Sequence, residues 1–303
     1  MSTSPSDPRQ AVGEMLDLAL AFPEAHLHTA DLPYRFASWA LDEPENVALW
    51  RDGGRLVGWA VIQAPFWMLD FAFRPDTESD LLPEALRWAD RRAKSVRGTI
   101  HERPQRYVTT FSNLEARLEL LERHGYACQA DVVSDSWSRV LLRRVGAAPE
   151  RCEAPAGFAV RAIDGQREID AYVDLHRTVF ESKNMTSAWR SRTLSAPHHL
   201  PEADLVATAA DGRLAGFCIG WLAPSSGGVR IGQIEPLGVD PGARGLGLGS
   251  VLLAECARRL IAAGAIELLV ETDTYRAPAL DLYESFGFRP LRDVVVYRKE
   301  GPA

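Results

Sequence analysis

The chain has 303 residues, 46% of them hydrophobic, with a formal net charge of −7 and a pI near 5.6. That length suits two ordinary domains, and the acidic balance argues against a nucleic-acid or anionic-membrane partner, both of which need a concentrated positive field. No stretch approaches the roughly 20 apolar residues of a spanning helix, so the sequence predicts a soluble, cytoplasmic protein.

Met1–Gln10 has no basic run, and Glu14–Phe22 is too short and too acidic for a secretory leader. The first half then reads as a hairpin on Asp52-Gly53, a strand over Trp67–Pro75 and a helix over Leu81–Lys94. A helix over Glu115–Tyr126 and a strand over Ser134–Leu142 close it. Arg143–Phe158 is rich in Ala, Pro and Gly without periodicity and reads as a linker, placing the boundaries at 1–147, 148–157 and 158–303.

The second half opens with a strand, Phe158–Ile163, and a helix over Arg167–Phe180. Two apolar runs flank Asp211-Gly212, a strong hairpin signal. Val229–Val239 reads as a long strand, the glycine loop follows, and a helix runs over Gly247–Ala263. Then come a strand over Ala265–Thr272, a helix over Ala277–Phe286 closed by Gly287, and a strand over Arg292–Lys299. The order repeats that of the first half, so the chain reads as two copies of one α/β unit, one of them degraded.

The four cysteines, Cys128, Cys152, Cys218 and Cys256, form no C-x-x-C pair and have no histidine at ligand spacing, so they read as free thiols and not as a metal site. His198-His199 lacks a third ligand and reads as a surface loop. Trp189, Arg190 and Trp221 are candidates for a pocket lining, against a core or interface role for the tryptophans.

The glycines carry most of the chemical signal. Gly242, Gly245, Gly247 and Gly249 precede an apolar helix, where unpaired N–H groups and the helix dipole favour an anion. Glycine lets backbone amides close on a phosphate and weakens the helix start, so the pattern answers a constraint other than stability. The spacing is not that of a dinucleotide fingerprint, since position 250 is Ser, and no lysine makes it a P-loop. A tight turn explains Gly242 equally well.

The run Val239-Asp240-Pro241, Arg244, Gly247 and Gly249 resembles the acyl-CoA loop, Q/R-x-x-G-x-G/A, of the GCN5-related N-acetyltransferase (GNAT) superfamily. Ala279, Tyr283, Gly287 and Phe288 match that family's A-x-x-x-Y-x-x-x-G-F helix, on the right elements and in the right order. The resemblance covers about Phe158–Lys299 well and the first half weakly. It implies an α/β (α+β) protein of two tandem GNAT-like domains, each a mixed, mostly antiparallel sheet flanked by helices. The two-domain plan is similar to that of mycothiol synthase, which acetylates a cysteinyl amine.

By that resemblance, amides from Arg244, Gly245, Leu246, Gly247, Leu248, Gly249 and Ser250 hold the coenzyme A pyrophosphate, and Leu237, Gly238 and Val239 pair with the pantetheine arm. The N–H of Leu237 or Gly238 polarises the thioester carbonyl. Tyr283 is the expected general acid and Glu235 the expected base, against a packed core tyrosine and a strand carboxylate balancing Arg230. Family members commonly carry Asn where this chain has Arg276, which either reaches the coenzyme A phosphates or loses that contact.

The implied reaction is direct acetyl transfer from acetyl-CoA to a small-molecule primary amine, without a metal. A cysteinyl amine, an antibiotic or a polyamine remains open as acceptor, and a non-catalytic acetyl-CoA sensor is the alternative from another class. The first half has no glycine loop after Pro75 and Leu121 in place of the tyrosine, which reads as a copy unable to bind coenzyme A in the same way. Its expected part is to pack on the second half and shape the acceptor pocket. Nothing in the chain sets an oligomeric state.

Overall fold

The computed structural model describes residues 7–130, 132, 135–225 and 228–301. The first six positions of the N-terminal stretch and the first residue of the strand expected from Ser134 lie outside them. The first half contributes α1 (Val12–Ala21), α2 (Leu32–Phe36), β1 (Val47–Asp52), β2 (Arg55–Gln63), β3 (Met68–Phe73), α3 (Glu78–Ser95), β4 (Gln105–Phe111), α4 (Glu115–Arg123), β5 (Ala127–Cys128) and β6 (Ser138–Val145). The second contributes β7 (Phe158–Ala162), α5 (Ile169–Phe180), α6 (Ser187–Leu194), β8 (His199–Ala209), β9 (Leu214–Pro224), β10 (Arg230–Val239), α7 (Leu248–Ala262), β11 (Ala265–Asp273), α8 (Ala277–Ser285) and β12 (Arg289–Glu300).

The β1–β2 turn shows why the hairpin signal is readable: Gly53 and Gly54 both have positive φ, as a two-residue turn with the right twist requires. All the strands join one sheet in the order β1-β2-β3-β4-β12-β6-β11-β10-β9-β8-β7, with β5 on β12. The last strand of each half is exchanged. β12 lies antiparallel to β4, with Val294 opposite Phe111, while β6 lies antiparallel to β11, with Leu142 opposite Val270. The 148–157 connection runs from β6, deep in the sheet, to β7 at its edge, and the sheet itself continues across both halves.

Alternation along the strands sends neighbouring residues to opposite faces. Cys218 packs with α7 and α8, whereas Phe217 and Ile219 pack with α5 and α6. In β2, Ala60 and Ile62 meet α3, and Trp59 and Val61 meet α1. One face of the sheet thus carries α3, α4, α7 and α8, and the other α1, α2, α5 and α6.

Candidate active site

The parallel pairing of β10 with β11 stops early. It runs from Arg230 opposite Ala265 to Gln233 opposite Leu269, and then a bulge at Glu235-Pro236 turns β10 away. β10 resumes pairing only with β9, where Asp240 N donates to Ala215 O at 2.9 Å. Antiparallel alternation then turns the N–H and C=O of Leu237 and Val239 away from β9, towards the gap left by β11, and those of Gly238 towards β9. Of the two amides expected to polarise a carbonyl, Leu237 therefore faces the gap and Gly238 does not. Gly238 has a packing reason of its own: a Cβ there would lie 2.6 Å from the Phe217 ring.

The glycine loop closes one end of this gap. Gly245 and Gly247 have φ of 79° and 84°, left-handed values that other residues rarely adopt. Gly247 caps α7 with no side-chain hydrogen bond, and the first turn of α7 contains no acidic residue. The N–H groups of Leu248, Gly249 and Ser250 therefore have no helical acceptor, which suits an anion. Leu246 is exposed and Leu248 buried. Arg244 is exposed, its Nε donating to Val239 O at 3.3 Å, and Gly242 sits in a tight turn, donating to Asp240 Oδ1 at 2.8 Å. Arg276 pairs with Asp273 at 2.7 Å, half-exposed at the start of α8.

Tyr283 rises from α8 on one face of the sheet, buried beside Phe288 with ring centroids 5.9 Å apart. Burial, with the Glu235 charge next in effect, pushes its hydroxyl well above the ordinary tyrosine range, so it stays protonated. Glu235 projects to the other face, where Arg230 is remote from it: Arg230 instead donates to Ala263 O at 3.2 Å. Burial first, then the Asp31 carboxylate, pushes Glu235 up to about 7, against the pull of Arg139. The two groups thus lie on opposite faces of the sheet, close enough for the Glu235 charge to act on the hydroxyl.

Glu235 opens into a cavity of about 260 Å³ between the halves. Asp31, Tyr34 and Phe66 come from the first half, Arg139 from exchanged β6, and Phe180 and Trp189 from the second. His28 Nδ1 lies 3.1 Å from Asp31 and 3.9 Å from Glu271, and Arg139 lies 2.5 Å from Glu271. Burial alone would lower His28, but Asp31 and Glu271 together hold it raised. The sequence reading missed His28, Asp31, Arg139 and Glu271, because no local pattern marks residues that meet only through the exchanged strand.

Two expectations need correction, those for Arg190 and His199, and the two tryptophans divide between the roles left open. Trp189 does line the cavity, but Arg190 is buried against Asp204 at 2.7 Å, its guanidinium 4.0 Å from the centre of the Tyr172 ring. Trp221 is in the core, donating to Glu235 O at 2.6 Å. His199 is not on a surface loop: it begins β8, buried, with Nε2 2.8 Å from Asp204.

The first half shows the same strand divergence with different contents. β3 and β4 pair only at Met68 opposite Tyr107. Beyond that point Ala25, His26 and Leu27 lie against Phe71 and Thr109, leaving only about 30 Å³. Arg117 fixes this segment through Ala25 O at 2.7 Å and pairs with Glu78 in the first turn of α3, where Asp80 adds a second acid. Among the described residues no cluster of ligands could hold a metal, and no helix is long and apolar enough to cross a membrane.

Residues 169–288 match the model of the acetyltransferase (GNAT) family. Similar relatives include the mycothiol acetyltransferases of Thermomonospora curvata, 32% identical over 49% of this chain and 50% of that one, and of Clavibacter michiganensis subsp. michiganensis, 37% identical over 48% and 47%. The chain spans about half the length of these curated relatives. Among solved structures, a GCN5-related N-acetyltransferase from Sphaerobacter thermophilus covers all of this chain at a TM-score of 0.63 and 19% identity, with 96% of its own length matched. A tandem GNAT protein from the clavulanic acid biosynthesis pathway does so at 0.64 and 16%, with 98% of its own length matched. Both likenesses are of fold.

Proposed function

We propose that this chain, a tandem GNAT protein whose residues 169–288 belong to the acetyltransferase (GNAT) family, transfers an acetyl group from acetyl-CoA to a primary amine in a ternary complex. The observation that carries the reading is the gap between β10 and β11, flanked by an uncapped glycine-led helix, with Tyr283 and Glu235 on opposite faces of the sheet. The donor's phosphates fit the amides of Gly245–Ser250, with Arg244 free to swing onto them. Its amide-bearing arm fits the backbone groups of Leu237 and Val239.

An amine reaches the cavity largely as ammonium, and the Glu235 carboxylate accepts its proton, directly or through water. The free amine then attacks the thioester carbonyl, whose oxygen gains negative charge and takes a hydrogen bond from Leu237 N–H. As the C–S bond breaks, Tyr283 gives its hydroxyl proton to the departing sulfur, and the proton the nitrogen sheds on becoming an amide restores the hydroxyl, through water. A thiol of pKa about 8.5 leaves readily, so a weak acid suffices. Cys218 and Cys256 are fully buried, and burial pushes the Cys218 thiol far up, which speaks against an acyl-cysteine intermediate.

The first half fits the role of a partner domain that does not hold the donor. Residues 25–27 line the small space left at its own strand divergence, and α3 begins with two acids, Glu78 and Asp80, where α7 begins with none. A cysteinyl amine is the second reading for the acceptor, favoured by the names of the curated relatives. Incubation with acetyl-CoA alone, followed by intact-mass measurement, tests direct transfer. The protein should remain unmodified until an amine is added, and a stable acetyl adduct on the chain would overturn the ternary mechanism.

A further inference from the structure

The cavity beside Glu235 divides into two chemically different ends. At one end stand three carboxylates, Asp31, Glu235 and Glu271. Asp31 is 2% exposed and its Oδ1 has no hydrogen-bond partner, whereas Glu271 is paired with Arg139 at 2.5 Å. A buried acceptor without a donor is costly, so Asp31 is placed to receive a donor that arrives with the ligand.

The cations nearby are already committed. Arg35 holds Asp70 through two hydrogen bonds of 2.6 and 2.8 Å, and Arg139 holds Glu271 and Asp273 at 2.5 and 3.2 Å. His28 faces Asp31. Both guanidinium groups of the wall are thus already in ion pairs with carboxylates of this chain, and an acceptor's own carboxylate or phosphate would have to compete with those pairs.

The other end is aromatic. Tyr34 and Phe66 flank Trp189 at 5.3 and 6.3 Å between ring centroids, and Phe180 closes the wall against His176. Several of its polar groups are occupied: the Tyr34 hydroxyl meets His176 Nε2 at 3.2 Å, and the Asn184 amide donates to Pro65 O at 2.9 Å, while His176 Nδ1 has no partner. That wall offers ring faces and few hydrogen-bonding groups to a polyhydroxylated body.

We infer that the acceptor is a compact monocationic primary amine with an apolar, ring-bearing body and no acidic group, its ammonium seated between Asp31 and Glu235 and its ring against Trp189 and Phe180. This rests on the acetyltransferase reading and goes beyond it by naming the acceptor class. Asp31 acts as a specificity residue: it orients the ammonium beside the base and takes no proton from it.

The test measures thiol release from saturating acetyl-CoA with three primary amines: 2-phenylethylamine, phenylalanine and glucosamine. 2-Phenylethylamine should exceed each of the others in kcat/KM by at least about a hundredfold, because a carboxylate or a set of hydroxyls would enter unpaired. In Asp31→Asn its KM should rise about tenfold with kcat nearly unchanged, the signature of lost binding and intact chemistry. Phe180→Ala, altering a partly exposed wall, should raise KM for 2-phenylethylamine without improving glucosamine. Preference for phenylalanine or glucosamine would overturn the acceptor class and leave the transferase reading standing. Acetyl-CoA binding by calorimetry with no release from any of these amines would also overturn it. Failure to bind acetyl-CoA at all would overturn the transferase reading itself.

Discussion

In the proposed reaction Glu235 can act as a base only over part of the pH range, because its surroundings resist its charge. Asp31 and Glu271 repel it, Arg139 and His28 draw it down, and burial outweighs them, leaving it near 7. The base works ionised, so kcat/KM should fall as pH drops through about 7, and Glu235→Gln should abolish that limb while lowering kcat/KM by about 10²–10⁴. Stability moves the other way. The folded value lies above the ordinary 4.5, so the protonated form stabilises the fold below 4.5 and that contribution is lost as pH rises through about 7. A pH–rate profile without an acidic limb in the wild type would remove Glu235 from the base role. Arg190 makes a different demand. Arg190→Ala strands Asp204 in the core beside His199 and should cost about 3–5 kcal/mol in denaturant unfolding; a loss under about 1 kcal/mol would show that His199 alone suffices for Asp204.

At the scale of elements, the loop before α7 was legible because its constraint is local: left-handed φ at Gly245 and Gly247 appears in the sequence as glycine. Gly247→Ala should cost about 1–2 kcal/mol from backbone strain, and should weaken acetyl-CoA binding measured by calorimetry more than it lowers stability. Unchanged binding would mean that the helix start does not hold the donor. The hairpins and the β10, α7, β11, α8 succession were legible for the same reason, through short-range periodicity and turn chemistry. His199 was misread because its partner Asp204 lies further along the same strand across an irregular stretch of β8, a contact that no spacing rule marks. The acceptor cavity was the least legible part. Asp31 N donates to Gln233 Oε1 at 3.3 Å across a separation of 202 residues, and Asp31 sits in a short irregular segment before α2 with no motif around it.

The whole molecule is tied together by its exchanged strands. β6 supplies Arg139 to the cavity while continuing the second half's sheet, and β12 continues the first half's sheet on β4. Neither half can unfold without stripping a central strand from the other, so thermal unfolding should show one cooperative transition, calorimetric and van't Hoff enthalpies agreeing. Two resolved transitions would contradict this coupling. The two halves also share a cavity: the first carries Asp31, Tyr34 and Phe66 to the wall beside Glu235. The most direct test of acetyl transfer across that gap is amine-dependent thiol release from acetyl-CoA, comparing the wild type with Tyr283→Phe. The account predicts release only with a primary amine present and a drop in kcat of about 10²-fold or more in the variant, with acetyl-CoA affinity retained. Equal turnover by the two proteins, or no release with any amine, would contradict it.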